Sequence, residues 1–135
     1  FEILGGRLGD VLLTPTRLYA KGLLGSITAG ADIKGVVHIT GGGFYENIPR
    51  ILPEQISVKI EKKSYPMLPV FDLLKNEGNI SEREMYTTFN MGIGLMLLCE
   101  RKHADLVIRT MKDSGSDAYV IGETVSSGGD RVVLS

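Results

Sequence analysis

His38-Ile39-Thr40-Gly41-Gly42-Gly43-Phe44-Tyr45-Glu46-Asn47-Ile48-Pro49-Arg50 reads as strand, triple glycine, helix. The strand is the tail of Ile33–Ile39, where Val36, Val37 and Ile39 supply β-branched side chains. Three successive glycines then remove every Cβ, so the backbone can turn sharply and approach a neighbour closely. Phe44, Ile48, Ile51 and Leu52 fall at i, i+4, i+7 and i+8, a helical stripe kept short by Pro49 and closed by Pro53. A strand feeding a helix through such a turn is the unit around which the remaining elements make the class of the chain α+β.

Downstream, Ile56, Val58 and Ile60 alternate with Ser57, Lys59 and Glu61, as in a half-buried strand. Pro69 before Val70–Lys75, with Gly78 beyond, predicts a short helix. Ser81-Glu82-Arg83-Glu84 matches a capping box, which predicts a helix over Glu82–Thr88. Ile93–Cys99 is apolar on both faces and reads as a central strand. Ala104, Val107, Ile108 and Met111 share one helical face, and Gly115 ends that helix. Ala118–Val125 and Arg131–Leu134 read as strands joined by a turn at Ser126–Asp130. Upstream, Thr16–Ile27 suits a helix weakened by Gly22 and Gly25, and Thr14, before Pro15, is expected to be extended. The sum is one domain over residues 1–135, a mixed sheet of about four to five strands covered by about four helices.

Composition narrows the function. The chain has 135 residues with 15 Lys and Arg against 16 Asp and Glu, a balance unlike that of a nucleic-acid binder working through a basic face. No apolar run is long enough for a membrane span. Cys99 is the only cysteine, so no intrachain disulfide forms and the usage fits a reducing compartment; in its apolar run it reads as a small buried hydrophobe. The chain opens Phe1-Glu2-Ile3-Leu4-Gly5, with neither an initiator Met nor a basic leader, as expected of a piece of a longer protein rather than a signal peptide. The 17 glycines, about 13% against ~7% in average proteins, lie in clusters that mark special backbone geometry.

The usual P-loop spacing is absent, Gly92-Ile93-Gly94 lacks the third glycine of a dinucleotide turn, and His38 and His103 stand apart with no partner ligands, so no metal site is expected. The glycine turn carries two readings. Its N–H groups, at the start of a helix, can form an anion site, with His38 or Thr40 at the lip and Asn47 and Arg50 on the next turn. Alternatively the glycines give steric relief only, and His38 is a structural histidine at a strand end. Thr14-Pro15-Thr16-Arg17 and Thr87-Thr88-Phe89-Asn90 are polar segments able to join the same site or to act as caps and turns, with Phe89 and Met91 in the core.

These segments together resemble the C-terminal domain of the phosphoribosylformylglycinamidine cyclo-ligase (AIR synthetase) family of purine biosynthesis. The resemblance lies in Leu13-Thr14-Pro15-Thr16-Arg17 with Tyr19 and Lys21, in the His38–Arg50 segment, in Glu84-Met85-Tyr86 with Thr88-Phe89-Asn90 and Gly92-Ile93-Gly94, and in Ala118-Tyr119-Val120-Ile121-Gly122. It runs in order from about Gly9 to the end of the chain. Phe44 and Met91 stand where the family often has Leu and Cys, changes of packing that leave the polar positions intact. Selenophosphate synthetase and thiamine-monophosphate kinase are sister families with related glycine turns and different flanks.

The resemblance implies an ATP-dependent ring closure in which formylglycinamidine ribonucleotide and ATP give aminoimidazole ribonucleotide, ADP and phosphate. The formyl oxygen is phosphorylated, the ring-forming nitrogen attacks, and phosphate leaves. It implies that ATP and Mg²⁺ are held mainly by an N-terminal domain absent from this chain, that the parent is a cytoplasmic homodimer, and that this fragment alone is inactive. It assigns His38 to catalysis and Thr14, Arg17, Thr40, Gly41, Gly42, Gly43, Asn47, Arg50 and Asn90 to substrate or phosphate binding. A sister synthetase or kinase and a non-catalytic binding module are the competing readings.

Overall fold

The computed structural model describes residues 2–135, so Phe1 of the N-terminal reading lies outside the described residues. The described residues form six α-helices and five strands. In chain order these are α1 (Leu8–Leu12), α2 (Ala20–Thr28), β1 (Ile33–His38), α3 (Gly43–Asn47), β2 (Ile56–Ile60), α4 (Pro69–Glu77), α5 (Glu82–Thr88), β3 (Leu95–Cys99), α6 (Ala104–Asp113), β4 (Gly122–Ser126) and β5 (Val132–Leu134). The α+β class and the five strands are as expected. The strands divide between two sheets, and α1 is a helix that the short Val11-Leu12-Leu13 run did not announce.

Local signals set most boundaries. Glu84 donates its backbone N–H to the Ser81 hydroxyl at 3.2 Å, the N-cap half of the capping box, and α5 runs over Glu82–Thr88 as predicted. Pro69 occupies the first turn of α4. After Asn47, Pro49 tightens α3 into a 3₁₀ turn over Ile48–Ile51.

In the first sheet β1 runs antiparallel to β3, with His38 opposite Leu95 and Val37 opposite Met96. In the second, β2 is central, antiparallel to β4 and parallel to β5. The Ser126–Asp130 turn therefore passes across the end of β2 rather than closing a hairpin. Arg131 secures this crossing by donating to the carbonyls of Leu52, Pro53 and Ile56.

The main core joins the sheets. Phe44 and Ile48 are fully buried among Val37, Ile39, Ile60, Met85 and Tyr86. Phe44 meets Tyr86 edge to face, ring centroids 5.2 Å apart, so the larger side chain at this position is packed rather than strained. A second cluster, Ala31, Val107 and Met111, lies where α2 packs on α6. Gly22 allows that approach, since a Cβ there would press on Met111 and Ser114, and the Ser26 and Thr110 hydroxyls meet at 2.5 Å. Cys99 packs half-buried against this second cluster, and burial pushes its thiol pKa up, which disfavours the thiolate.

Candidate functional site

β1 ends at His38 on one side of a cleft of about 320 Å³. Thr40 and Gly41 continue that side. Thr88, Phe89 and Asn90, from the end of α5, form the other, with Phe71 of α4 as an apolar wall and Thr16 at the rim. No carboxylate is among the described residues lining the cleft. Hydroxyls, an imidazole, an amide and open backbone line it beside the apolar Ile39, Phe71 and Phe89.

The three glycines differ in what they do. Gly42 and Gly43 both have positive φ, +95° and +54°, a conformation that favours glycine. At Gly43 any Cβ would overlap the Tyr86 carbonyl oxygen, and its N–H is bonded to the Thr40 carbonyl at 3.0 Å. Gly43 thus packs α3 onto α5 and is buried away from the cleft. Glu46 lies against Gly42. Gly41 alone has open space where a side chain would be, and it alone of the three lines the cleft. Among the described residues neither the Gly41 nor the Gly42 N–H has a backbone acceptor. With α3 only five residues long, the helix-dipole part of the anion argument is small, and open backbone N–H groups carry it.

Asn47 is buried and faces inward. Its amide nitrogen donates to the carbonyls of Gly41 at 3.1 Å and Gly43 at 2.8 Å, and the Thr40 hydroxyl approaches its Oδ1 at 3.4 Å. It brackets the turn from behind. Arg50 is exposed on the 3₁₀ turn and does not line the cleft. Asn90 accepts from the Gly92 N–H at 2.9 Å through its side-chain oxygen, which leaves its amide N–H₂ at the cleft. The turn that holds it is strained at Met91, a buried non-glycine residue with φ +52°.

Residues 14–18 pass by the cleft as exposed chain. Thr16 reaches the rim, whereas the Thr14 hydroxyl is bonded back to the Asp10 carbonyl at 3.2 Å and Arg17 is exposed. Of the sequence-derived candidates, the structure gathers His38, Thr40, Gly41 and Asn90 around one space and puts Gly42, Gly43 and Asn47 behind it. Thr14 and Arg17 line a larger adjoining cavity of about 1750 Å³ that shares Thr16, Asn90 and Gly94 with the cleft, and Arg50 lines neither. Thr88 lies in the polar segment that the sequence offered to the site, while Phe71 and Phe89 are lining residues to which it assigned no binding role. Tyr19, quoted there only as part of a motif, stands beside His38, ring centroids 6.2 Å apart at 67°.

A family model described as AIR synthase related protein, C-terminal domain, matches residues 2–135. Among curated relatives, a phosphoribosylformylglycinamidine cyclo-ligase of Bifidobacterium longum subsp. infantis is 47% identical over 134 residues, covering 98% of this chain and 39% of the relative. One from Brevibacillus brevis is 48% identical over 134 residues, covering 99% and 38%. One from Geobacillus thermodenitrificans is 48% identical over 129 residues, covering 96% and 37%. The chain thus spans under two fifths of the length of these relatives.

Proposed function

Because the chain belongs to the family of AIR synthase related protein C-terminal domains, we propose that it is the C-terminal part of an ATP-dependent cyclo-ligase that closes the imidazole ring of aminoimidazole ribonucleotide. The observation that carries this reading is the carboxylate-free cleft in which His38, Thr40 and Gly41 face Thr88 and Asn90. The names of the relatives, at 47–48% identity, support the choice of reaction.

In this reading Gly41 offers a backbone N–H, and Thr40 and Thr88 offer hydroxyls, to oxygens of a phosphate or of a transferring phosphoryl group. Asn90 donates from its amide. His38, exposed at the end of β1, holds or moves a proton at the ring-forming centre. Phe71 and Phe89, whose rings are tilted against each other at 6.2 Å, shield one side from water. Glycine turn and loop are held before any ligand arrives, so their main contribution is positioning.

No group of three or more His, Cys, Asp or Glu side chains suited to a metal gathers among the described residues. The described residues lining the cleft include no carboxylate, and ATP with its metal is assigned to the remainder of the longer enzyme, which the lengths of the relatives make room for. Arg17 and Arg50, exposed outside the cleft, are available to that remainder or to a second subunit of a homodimer. No described helix is long and apolar enough to cross a membrane, and a cytoplasmic site of action follows from the proposed pathway.

The test is His38→Ala in the full-length enzyme. ATP-dependent ring closure is expected to fall about 10²-fold or more, with nucleotide binding by isothermal titration little changed. Full activity in the variant, or a parent that turns over thiamine monophosphate or selenide and leaves the purine intermediate alone, would remove this reading.

A further inference from the structure

We propose that Tyr19 is a positioning residue for His38. It sits on the side-chain-free face of Gly94, holds the imidazole at the mouth of the cleft and anchors residues 14–18 across the rim. The proposal rests on the reading that His38 acts on the bound nucleotide.

His38 is exposed and terminates β1. An exposed imidazole turns freely about two side-chain torsions, and a group that must meet one atom of a substrate needs that freedom removed. The contact that restrains it is the Tyr19 ring, edge to face at 6.2 Å and 67°. Tyr19 is itself held at two ends. Its ring packs against the second apolar cluster of α2 and α6. Its hydroxyl end occupies the place where a side chain on Gly94 would be, so that any Cβ there would overlap the Tyr19 oxygen. Gly94 in turn accepts the Ile39 N–H at 2.9 Å, which ties it to the residue after His38. Tyr19, Gly94, Ile39 and His38 therefore form a closed circuit of contacts.

The circuit accounts for two otherwise separate facts. Gly94 has ordinary backbone geometry, so its lack of a side chain serves the tyrosine rather than the turn. Thr16 reaches the cleft from an exposed segment because Tyr19, three residues on, fixes the end of that segment.

The experiment uses the full-length enzyme labelled at histidine, with the His38 ring signal assigned by its loss in His38→Asn. Tyr19→Leu removes the ring, Gly94→Ala displaces it from the other side, and Tyr19→Phe keeps it. The first two are expected to move the His38 signal and lower kcat about tenfold, with KM for the nucleotide within about twofold. Tyr19→Phe is expected to stay close to wild type in both. If Gly94→Ala does not fold, Tyr19→Leu decides. An unmoved His38 signal in Tyr19→Leu overturns the proposal, whatever happens to activity. A wild-type enzyme without cyclo-ligase activity would sink the functional reading instead, and the ring signal would still report on the positioning.

Discussion

The cleft has two unlike sides. The Thr40–Asn47 side is part of the core: Gly43, Phe44 and Asn47 are buried, and each turn carbonyl that Asn47 holds is held from within the domain. The 13–18 side is nearly bare, with Leu13 81% and Leu18 92% exposed, and Tyr19 ties its end to the second apolar cluster. Burying a leucine is worth about 1.5–3 kcal/mol, a gain that these two leave unused in the isolated domain. One side thus has its shape before any partner arrives. The other leaves those leucines bare and is tied at its end by Tyr19.

If that contrast is right, Gly43→Ala is the most damaging change. A Cβ at positive φ would meet the Tyr86 carbonyl, and we expect a loss of about 3 kcal/mol or more by urea denaturation. A loss under about 1 kcal/mol would mean that the core does not shape this side.

Asn47→Ala comes next. It strips the Gly41 and Gly43 carbonyls of a shared donor, in a part-buried and a buried bond respectively, at a cost of about 1–3 kcal/mol. Loosening should also spread to the Gly43 amide, which is bonded to the Thr40 carbonyl at 3.0 Å, read as faster hydrogen exchange there.

Tyr65 probes the core in pH. Burial, first of all, pushes its pKa far above the ordinary value, with Tyr86 beside it adding to the shift, and its hydroxyl has no hydrogen-bond partner among the described residues. A raised pKa stabilises the fold fully below the unfolded tyrosine value near ~10 and less as pH rises beyond it. The unfolding free energy should therefore drop above about pH 10, by up to about 1.4 kcal/mol per pH unit from this group. Tyr65→Phe should flatten that drop while changing stability at neutral pH by under about 1 kcal/mol. An unchanged alkaline slope would refute the assignment.

The smallest effect belongs to the exposed side. Leu18→Ser should alter domain stability by less than about 0.5 kcal/mol, and residues 8–18 should exchange amide hydrogens faster than 40–47. A larger loss would show that the segment belongs to the core after all.

Much of this architecture was legible in the chain. The capping box at Ser81, the apolar face of Ala104–Met111 and the alternation at Ile56–Ile60 each gave an element in its place, because caps and periodicity act over a few residues. The division into two sheets was not legible, since β4 and β5 both pair with β2 across the molecule and nothing local encodes that choice. Within the cleft, the glycine turn stood out at once, and so did the polar loop at Asn90. Asn47 looked like a ligand residue because an amide beside a glycine turn reads the same whether it points in or out. Thr88 stood within the polar loop, whereas Phe71 carried no signal beyond helix formation.

Sequence by itself determined the α+β class, most of the elements and the family resemblance through short-range rules of backbone and pattern, while several ends moved: α2 starts at Ala20 rather than Thr16, β3 at Leu95 rather than Ile93, and β4 at Gly122 rather than Ala118. Tertiary structure decided the division of labour around the glycine turn. Gly43 meets a carbonyl of α5, Asn47 turns toward the core, and Tyr19 takes the place of a side chain on Gly94. Each depends on a neighbour far away in the chain, and the exclusion of one atom by another is known only once the two are brought together.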